Sequence, residues 1–132
     1  MSEQDNVDVV RQLYSDFGEG NVEGILNVLT EDVAWKQPPA GKSPLAGIWH
    51  GHEGVADFFR TVDEVSETEE FQPREYIAQG NKVVVLGYYQ FLAKSTGKRW
   101  ESEWAMVWTL RDGKIAEFQF FGDTGAEAAA FE

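Results

Sequence analysis

Between Trp100 and Asp123, bulky apolar side chains alternate with polar or small ones on both sides of an Asp112-Gly113 turn, the pattern of a β-hairpin with one buried face. On the first arm the alternation sets Trp104, Met106, Trp108 and Leu110 against Glu103, Ala105, Val107 and Thr109. On the second arm Ala116, Phe118 and Phe120 oppose Glu117 and Gln119. The N-terminal half has a different period. Val10, Leu13, Tyr14 and Phe17 form the stripe of an amphipathic helix over about residues 5–18, with Asp5 or Asn6 as N-cap and Gly18 and Gly20 as the stop. Asn21 caps a short second helix that turns Val22, Ile25, Leu26 and Leu29 inward, and a brief strand over 33–37 follows. Pro38 and Pro39 end that strand. The segment 38–51 holds three prolines and three glycines, which predicts a loop of the length usually given to a lid or rim. Val55, Phe58, Phe59, Val62 and Val65 mark a third helix, and 66–70 is expected to be an acidic, exposed connector.

The remaining chain predicts an antiparallel meander over 71–79, 82–94, 99–111 and 114–122, because each junction is short and carries turn residues. Helices first and strands afterwards define an α+β domain with the helices on one face of a curved sheet. The strand from Val83 to Leu92 is apolar on both faces, so its outer face needs a cover as well. A second copy of the chain is the simplest cover.

Composition narrows the class of partner. A chain of 132 residues predicts a single domain, 1–132, large enough for one sizeable core, and its 42% apolar and 14% aromatic content argue against disorder. A net charge of -12 repels the phosphates of nucleic acid and anionic membrane surfaces, and the Lys and Arg residues are too scattered to make a local basic patch. Neither partner is expected. With no cysteine there is no disulfide framework, thiolate nucleophile or thiolate metal site. The N-terminal residues resemble no leader and no stretch is long enough to span a bilayer, which makes the cytoplasm the expected location.

The order helix-helix-strand-loop-helix-meander, together with 13–21 (LYSDFGEGN), 25–35 (ILNVLTEDVAW), 51–59 (GHEGVADFF), 110–115 (LRDGKI) and the terminal Gly122-Asp123, resembles the nuclear-transport-factor-2-like superfamily. Within it the chain is most similar to SnoaL-like and ketosteroid-isomerase-related proteins. The resemblance implies a cone-shaped curved antiparallel sheet wrapped around three N-terminal helices (cystatin-like), an apolar pocket at its wide end and a homodimer formed through the sheet. The superfamily includes isomerases, polyketide cyclases, dehydratases, epoxide hydrolases and non-catalytic binding modules, so the fold settles no function.

Individual positions discriminate further. In the steroid isomerases a carboxylate moves the proton while a tyrosine and a neutral acid hold the enolate. The resemblance sets Gln37 at the base and Met106 at the neutral acid, and puts Leu29 and Phe59 at two further tyrosine positions; only Tyr14 is kept. True ketosteroid isomerase chemistry is therefore not expected. The Asp-Arg-Asp arrangement of the epoxide hydrolases has no counterpart on the strand carrying Trp104 and Trp108. SnoaL-like cyclases use an acidic residue near the end of the last strand, which here corresponds to Asp123. Strict alternation turns Asp123 away from Phe118 and Phe120, so it reaches a pocket only if Gly122 bends the strand; otherwise it caps the strand end or the segment 124–131.

Asp123 as proton carrier and Tyr14 or Gln37 as hydrogen-bond donor are thus the candidate chemical groups. Trp35, Gln37, Phe59, Trp104, Met106, Trp108, Phe118 and Phe120 are the candidate ligand-binding wall, for a flat, apolar, cyclic or carbonyl-bearing molecule. His50, His52 and Glu53 lack metal-site spacing and a third ligand, and no phosphate or dinucleotide motif is present, so neither metal nor cofactor is expected. Glu101 and Glu103 point away from the pocket face. Two functions remain open: cofactor-free acid/base catalysis, as in an isomerase or cyclase, and a non-catalytic small-molecule-binding module.

Overall fold

The computed structural model describes residues 2–132. Its elements run α1 (Glu3–Gly18), α2 (Val22–Asn27), β1 (Leu29–Gln37), β2 (Gly47–His50), α3 (Gly51–Val65), β3 (Ser66–Gln79), β4 (Lys82–Ala93), β5 (Arg99–Arg111), β6 (Lys114–Phe121) and α4 (Thr124–Ala130). The strands form one curved, unclosed six-stranded sheet in the order β2-β1-β6-β5-β4-β3, and the helices lie on its concave face. This is the α+β architecture expected. The pairing of β1 with β6 is parallel, whereas every other neighbouring pair is antiparallel.

Several local boundaries differ from the sequence expectation for identifiable reasons. Helix α1 begins earlier, because Ser2 and Asp5 form a reciprocal capping box in which Asp5 is the third helical residue and not the cap. Leu29 is fully buried as the first residue of β1, not as the last turn of α2. The segment 38–51 is shorter as a loop than expected, since β2 pairs with β1 from Ala34↔His50 to Gln37↔Gly47. The acidic stretch 66–70 is exposed apart from the buried Ser66, but it is strand and not connector: β3 starts directly after α3 and pairs Ser66 with Ala93. On β6 it is Ile115, and not Ala116, that is fully buried, because a bulge between Thr109 and Leu110 shifts the register by one residue. Asp112 (φ 52°) and Gly113 (φ 82°) both adopt the left-handed conformation that this two-residue turn requires.

Burial alternates along β4 and β5 as a half-buried strand should, with Val83, Val85, Tyr89 and Phe91 inward on β4 and Trp100, Trp104, Met106, Trp108 and Leu110 inward on β5. Gly87 interrupts the β4 series because the Trp104 indole occupies the space its side chain would need. A Cβ there would lie 2.4 Å from the ring and 2.5 Å from the Gln72 carbonyl oxygen. The edge strand β3 protects itself with Pro73, two register shifts and a row of charged side chains.

Gly87→Ala is expected to lower unfolding stability by about 1–3 kcal/mol, the usual cost of forcing a methyl group into a filled core. Denaturant unfolding monitored by tryptophan fluorescence measures it, and an unchanged midpoint would show that Trp104 has room to move.

Candidate functional site

Between the concave face and the helices lies a cavity of about 80 Å³, well above the roughly 10–15 Å³ that a single water needs. Helix α1 supplies Leu13, Tyr14 and Phe17 to its wall, and α3 supplies Phe58, Phe59 and Val62. Both sets follow from helical spacing, which turns residues three and four apart toward the same side. From the sheet come Trp35 and Gln37 of β1, Tyr89 and Phe91 of β4, Met106 and Trp108 of β5, and Phe118 and Phe120 of β6. Trp100, Leu45 and Glu127 close the end beneath α4. A larger open cleft between α1, α2, α3 and β3 shares Tyr14, Phe17, Phe59, Val62 and Phe71 with the inner cavity, so these side chains form the partition between the two.

The wall is held open by rings already in contact with one another. Trp35 lies 4.2 Å from Phe118 and 5.5 Å from Trp108, centroid to centroid, and Tyr89 stacks on Phe120 at 5.7 Å with the planes 3° apart. Tyr14 crosses the middle of this wall. Its hydroxyl donates to Met106 Sδ at 3.2 Å and accepts from Trp108 Nε1 at 3.1 Å. A thioether is a weak acceptor, so the hydroxyl keeps most of its donor capacity for a better partner such as a ligand oxygen. Burial raises the phenol pKa of Tyr14 and of Tyr89, which keeps both as neutral donors. The indole nitrogens of Trp35 and Trp100 are buried without a hydrogen-bond partner. Trp100 Nε1 faces the Tyr89 hydroxyl without closing a well-formed bond.

Most of the expected wall is brought together: Tyr14, Trp35, Gln37, Phe59, Met106, Trp108, Phe118 and Phe120 all line the cavity. Trp104 does not reach it. Its ring packs behind the wall against Phe71 at 5.5 Å and over Gly87. Asp123 is also outside. It is exposed as the N-cap of α4, with Oδ1 accepting from the Ala126 amide at 2.9 Å while its own amide donates to Ser102 Oγ at 2.8 Å. Gly122 does not turn the Asp123 carboxylate inward, because the chain leaves the sheet there to begin a helix. His50 and His52 are similarly local: His50 precedes α3, and His52 Nε2 sits 3.1 Å from the Leu29 carbonyl oxygen. Among the described residues no cluster of three metal-binding side chains occurs, and no helix is long and apolar enough to cross a membrane.

The carboxyl group that does line the cavity is Glu127, which is only 6% exposed. Burial pushes its pKa above the usual carboxylate range, against a smaller opposing effect from the facing Ser43 hydroxyl. A single glutamate in an alanine-rich tail has no distinguishing signal by itself. The available one was indirect: if Asp123 caps a helix, then Glu127, Ala130 and Phe131 fall on one face of it. Tyr89 and Phe91 were hidden differently, because β4 is apolar on both faces and the pattern does not say which is inner.

The model of the SnoaL-like domain matches residues 10–118, and the chain belongs to that family, within the nuclear-transport-factor-2-like superfamily. Solved structures agree over the full length. An NTF2-like protein from Burkholderia xenovorans LB400 shares 35% identity, with 100% of this chain and 99% of that one covered and a TM-score of 0.92. An NTF2-like protein of unknown function from Burkholderia pseudomallei K96243 shares 30%, covering 98% of each chain with a TM-score of 0.87. TerC, co-crystallised with polyporic acid, shares 32%, covering 96% of this chain and 97% of its own with a TM-score of 0.85. No curated protein matches the sequence.

Glu127 has a measurable consequence for stability. A raised pKa means that the folded chain holds this proton more tightly than the unfolded chain does. The associated stability is therefore complete below the ordinary value of 4.5 and is lost as pH rises through the folded-state value. Glu127→Gln, which cannot ionise, is expected to melt at a higher temperature than the parent near pH 7, with the gap closing as pH falls to about 4. Scanning calorimetry across that range checks this, and a gap independent of pH contradicts a buried, titrating carboxyl.

Proposed function

We propose that the chain binds a small, apolar, cyclic or carbonyl-bearing molecule inside the cone, and that the cavity is equipped for cofactor-free acid/base chemistry of the isomerase or cyclase kind. The observation that carries this reading is a hollow walled by aromatic rings, in which a few hydrogen-bonding groups are left over: the two unpartnered indole donors, the weakly engaged Tyr14 hydroxyl and Gln37. Such a site orients a flat molecule by its faces and selects it by one or two oxygens. The 32% identity to TerC, which was co-crystallised with polyporic acid, supports a small-molecule ligand. Phe17, Phe59 and Phe71 separate the cavity from the outer cleft, so a ligand entering from that side has to displace them. The second reading is a binding module without turnover. Gln37 and Met106 favour it, since neither can act at the positions where the steroid isomerases keep carboxyl groups.

A panel of cyclic ketones, naphthols and quinones is expected to raise the melting temperature and quench tryptophan fluorescence, in step with concentration. If no member of the panel does either, the cavity is not a small-molecule site of this class.

We also propose that the outer sheet face joins two copies of the chain. Ile77, Leu86 and Phe121 are exposed there, and Val84 and Val107 lie in register between them. Light scattering is expected to return twice the monomer mass, and Val107→Glu to return the monomer with its fold retained. A monomeric parent protein would refute the arrangement.

A further inference from the structure

The end of the cavity beneath α4 is built with more fixings than a seven-residue helix needs for its own sake. At its start, Asp123 caps the helix and is itself tied to Ser102 of β5. At its end, Thr96 Oγ1 donates to the Ala130 carbonyl oxygen at 2.5 Å and Lys98 Nζ to the Glu132 carbonyl oxygen at 3.2 Å. From the side, the loop after β1 approaches so closely that a Cβ on Gly41 would lie 2.8 Å from Ala128 Cβ. These ties fix the rotation of the helix about its axis. That rotation turns Glu127 and Phe131, four residues apart, to the same side, where Phe131 packs on Trp100 at 5.3 Å and Glu127 enters the cavity lining.

We propose that Glu127 is the proton carrier of this cavity, acting on the carbon next to the carbonyl of a bound cyclic ketone. The inference rests on the cavity being a small-molecule site and adds to it both the reacting group and the substrate class. Glu127 is a buried ionisable group that no structural ion pair consumes. Its facing neighbours are Ser43 from the loop and Tyr89 from β4, both neutral. Burial makes the ionised carboxylate a stronger base than an exposed one, in support of the geometry.

The step balances without a cofactor. The carboxylate takes the proton as the carbon–hydrogen bond breaks, and the electron pair moves into an enolate whose charge rests on the former carbonyl oxygen. A neutral donor of the wall, the Trp35 or Trp100 indole N–H or the Tyr14 hydroxyl, meets that oxygen. The Glu127 carboxyl then exchanges its proton with solvent and delivers one back to the carbon, so that in deuterium oxide the returned atom is deuterium.

The test uses 1-indanone in deuterium oxide, with carbon-bound exchange followed by proton NMR and binding followed by tryptophan quenching. The parent protein is expected to accelerate exchange beside the carbonyl above the buffer rate. Glu127→Gln is expected to lose at least about 100-fold of that acceleration, the lower end of what general acid–base catalysis supplies, while binding 1-indanone within about threefold of the parent. Glu103→Gln, on the exposed face of β5, is expected to exchange as the parent does. Calorimetry on Glu127→Gln separates loss of the group from loss of the fold. Binding without accelerated exchange in the parent overturns the role of Glu127 alone, as does undiminished exchange in Glu127→Gln. Absence of 1-indanone binding to the folded parent overturns this inference, and the proposed ligand class falls with it when the rest of the panel fails to bind as well.

Discussion

The contact on which the site depends is the buried junction of Tyr14, Trp108 and Met106, where the first helix meets the middle of the sheet. The helix reaches the sheet there through a hydroxyl that satisfies the Trp108 indole, so α1 is fixed in height and rotation relative to β5. Tyr14 also touches Trp104 and Phe71 with ring centroids about 6 Å apart, which couples the same helix to the packed layer behind the cavity wall. A core of rings with an occasional hydrogen bond is stiffer than one of aliphatic chains, because each ring has few rotamers and preferred tilts. That stiffness is why a hollow survives. Large flat groups cannot relax into the space they enclose without losing contacts already made, whereas leucines in the same places would largely fill it.

Much of this was legible in the chain. The hairpin from Trp100 onward announced its inner face by strict alternation, and the helical stripe announced Tyr14, since each pattern needs only local geometry to be read. What escaped local reading was set by non-local partners. The strand character of 66–70 exists because β4 continues far enough to pair with it, against a composition that suggests a solvated connector. The short β2 is strand only because β1 offers an edge. The one-residue slip on β6 that exchanges Ala116 for Ile115 is a bulge, and bulges leave little trace in hydropathy.

The acidic residue is the instructive case. Resemblance pointed to a carboxylate near the end of the last strand, and one is present, but Asp123 uses its oxygen to start a helix. The two roles exclude each other geometrically, since a capping side chain must fold back over its own backbone and cannot project into a cavity. Capping nevertheless brings a second carboxyl to the same end of the sheet. The helix that Asp123 starts delivers Glu127 one turn later, behind Ser43 and against Tyr89, where water is scarce and a carboxyl is hard to ionise. Of the two carboxyls at this end of the sheet, only Glu127 lines the cavity.

Charge distribution explains why this placement is tolerable. The surface carries most of the chain's carboxylates, and several are matched to cations across strands, as Glu69 is to Arg99 and Asp32 to Arg111. Such exposed pairs contribute little to stability. Glu127 has no cation, so its protonation state is left to its surroundings: solvent entry favours the charged form, and an apolar guest that displaces water favours the neutral one. An aromatic guest filling the hollow would therefore raise the proton affinity of the only carboxyl among the residues lining it. Occupancy of the cavity and protonation of its acid are in this way linked, and the strength of that link follows from how completely the rings around Tyr14 exclude water.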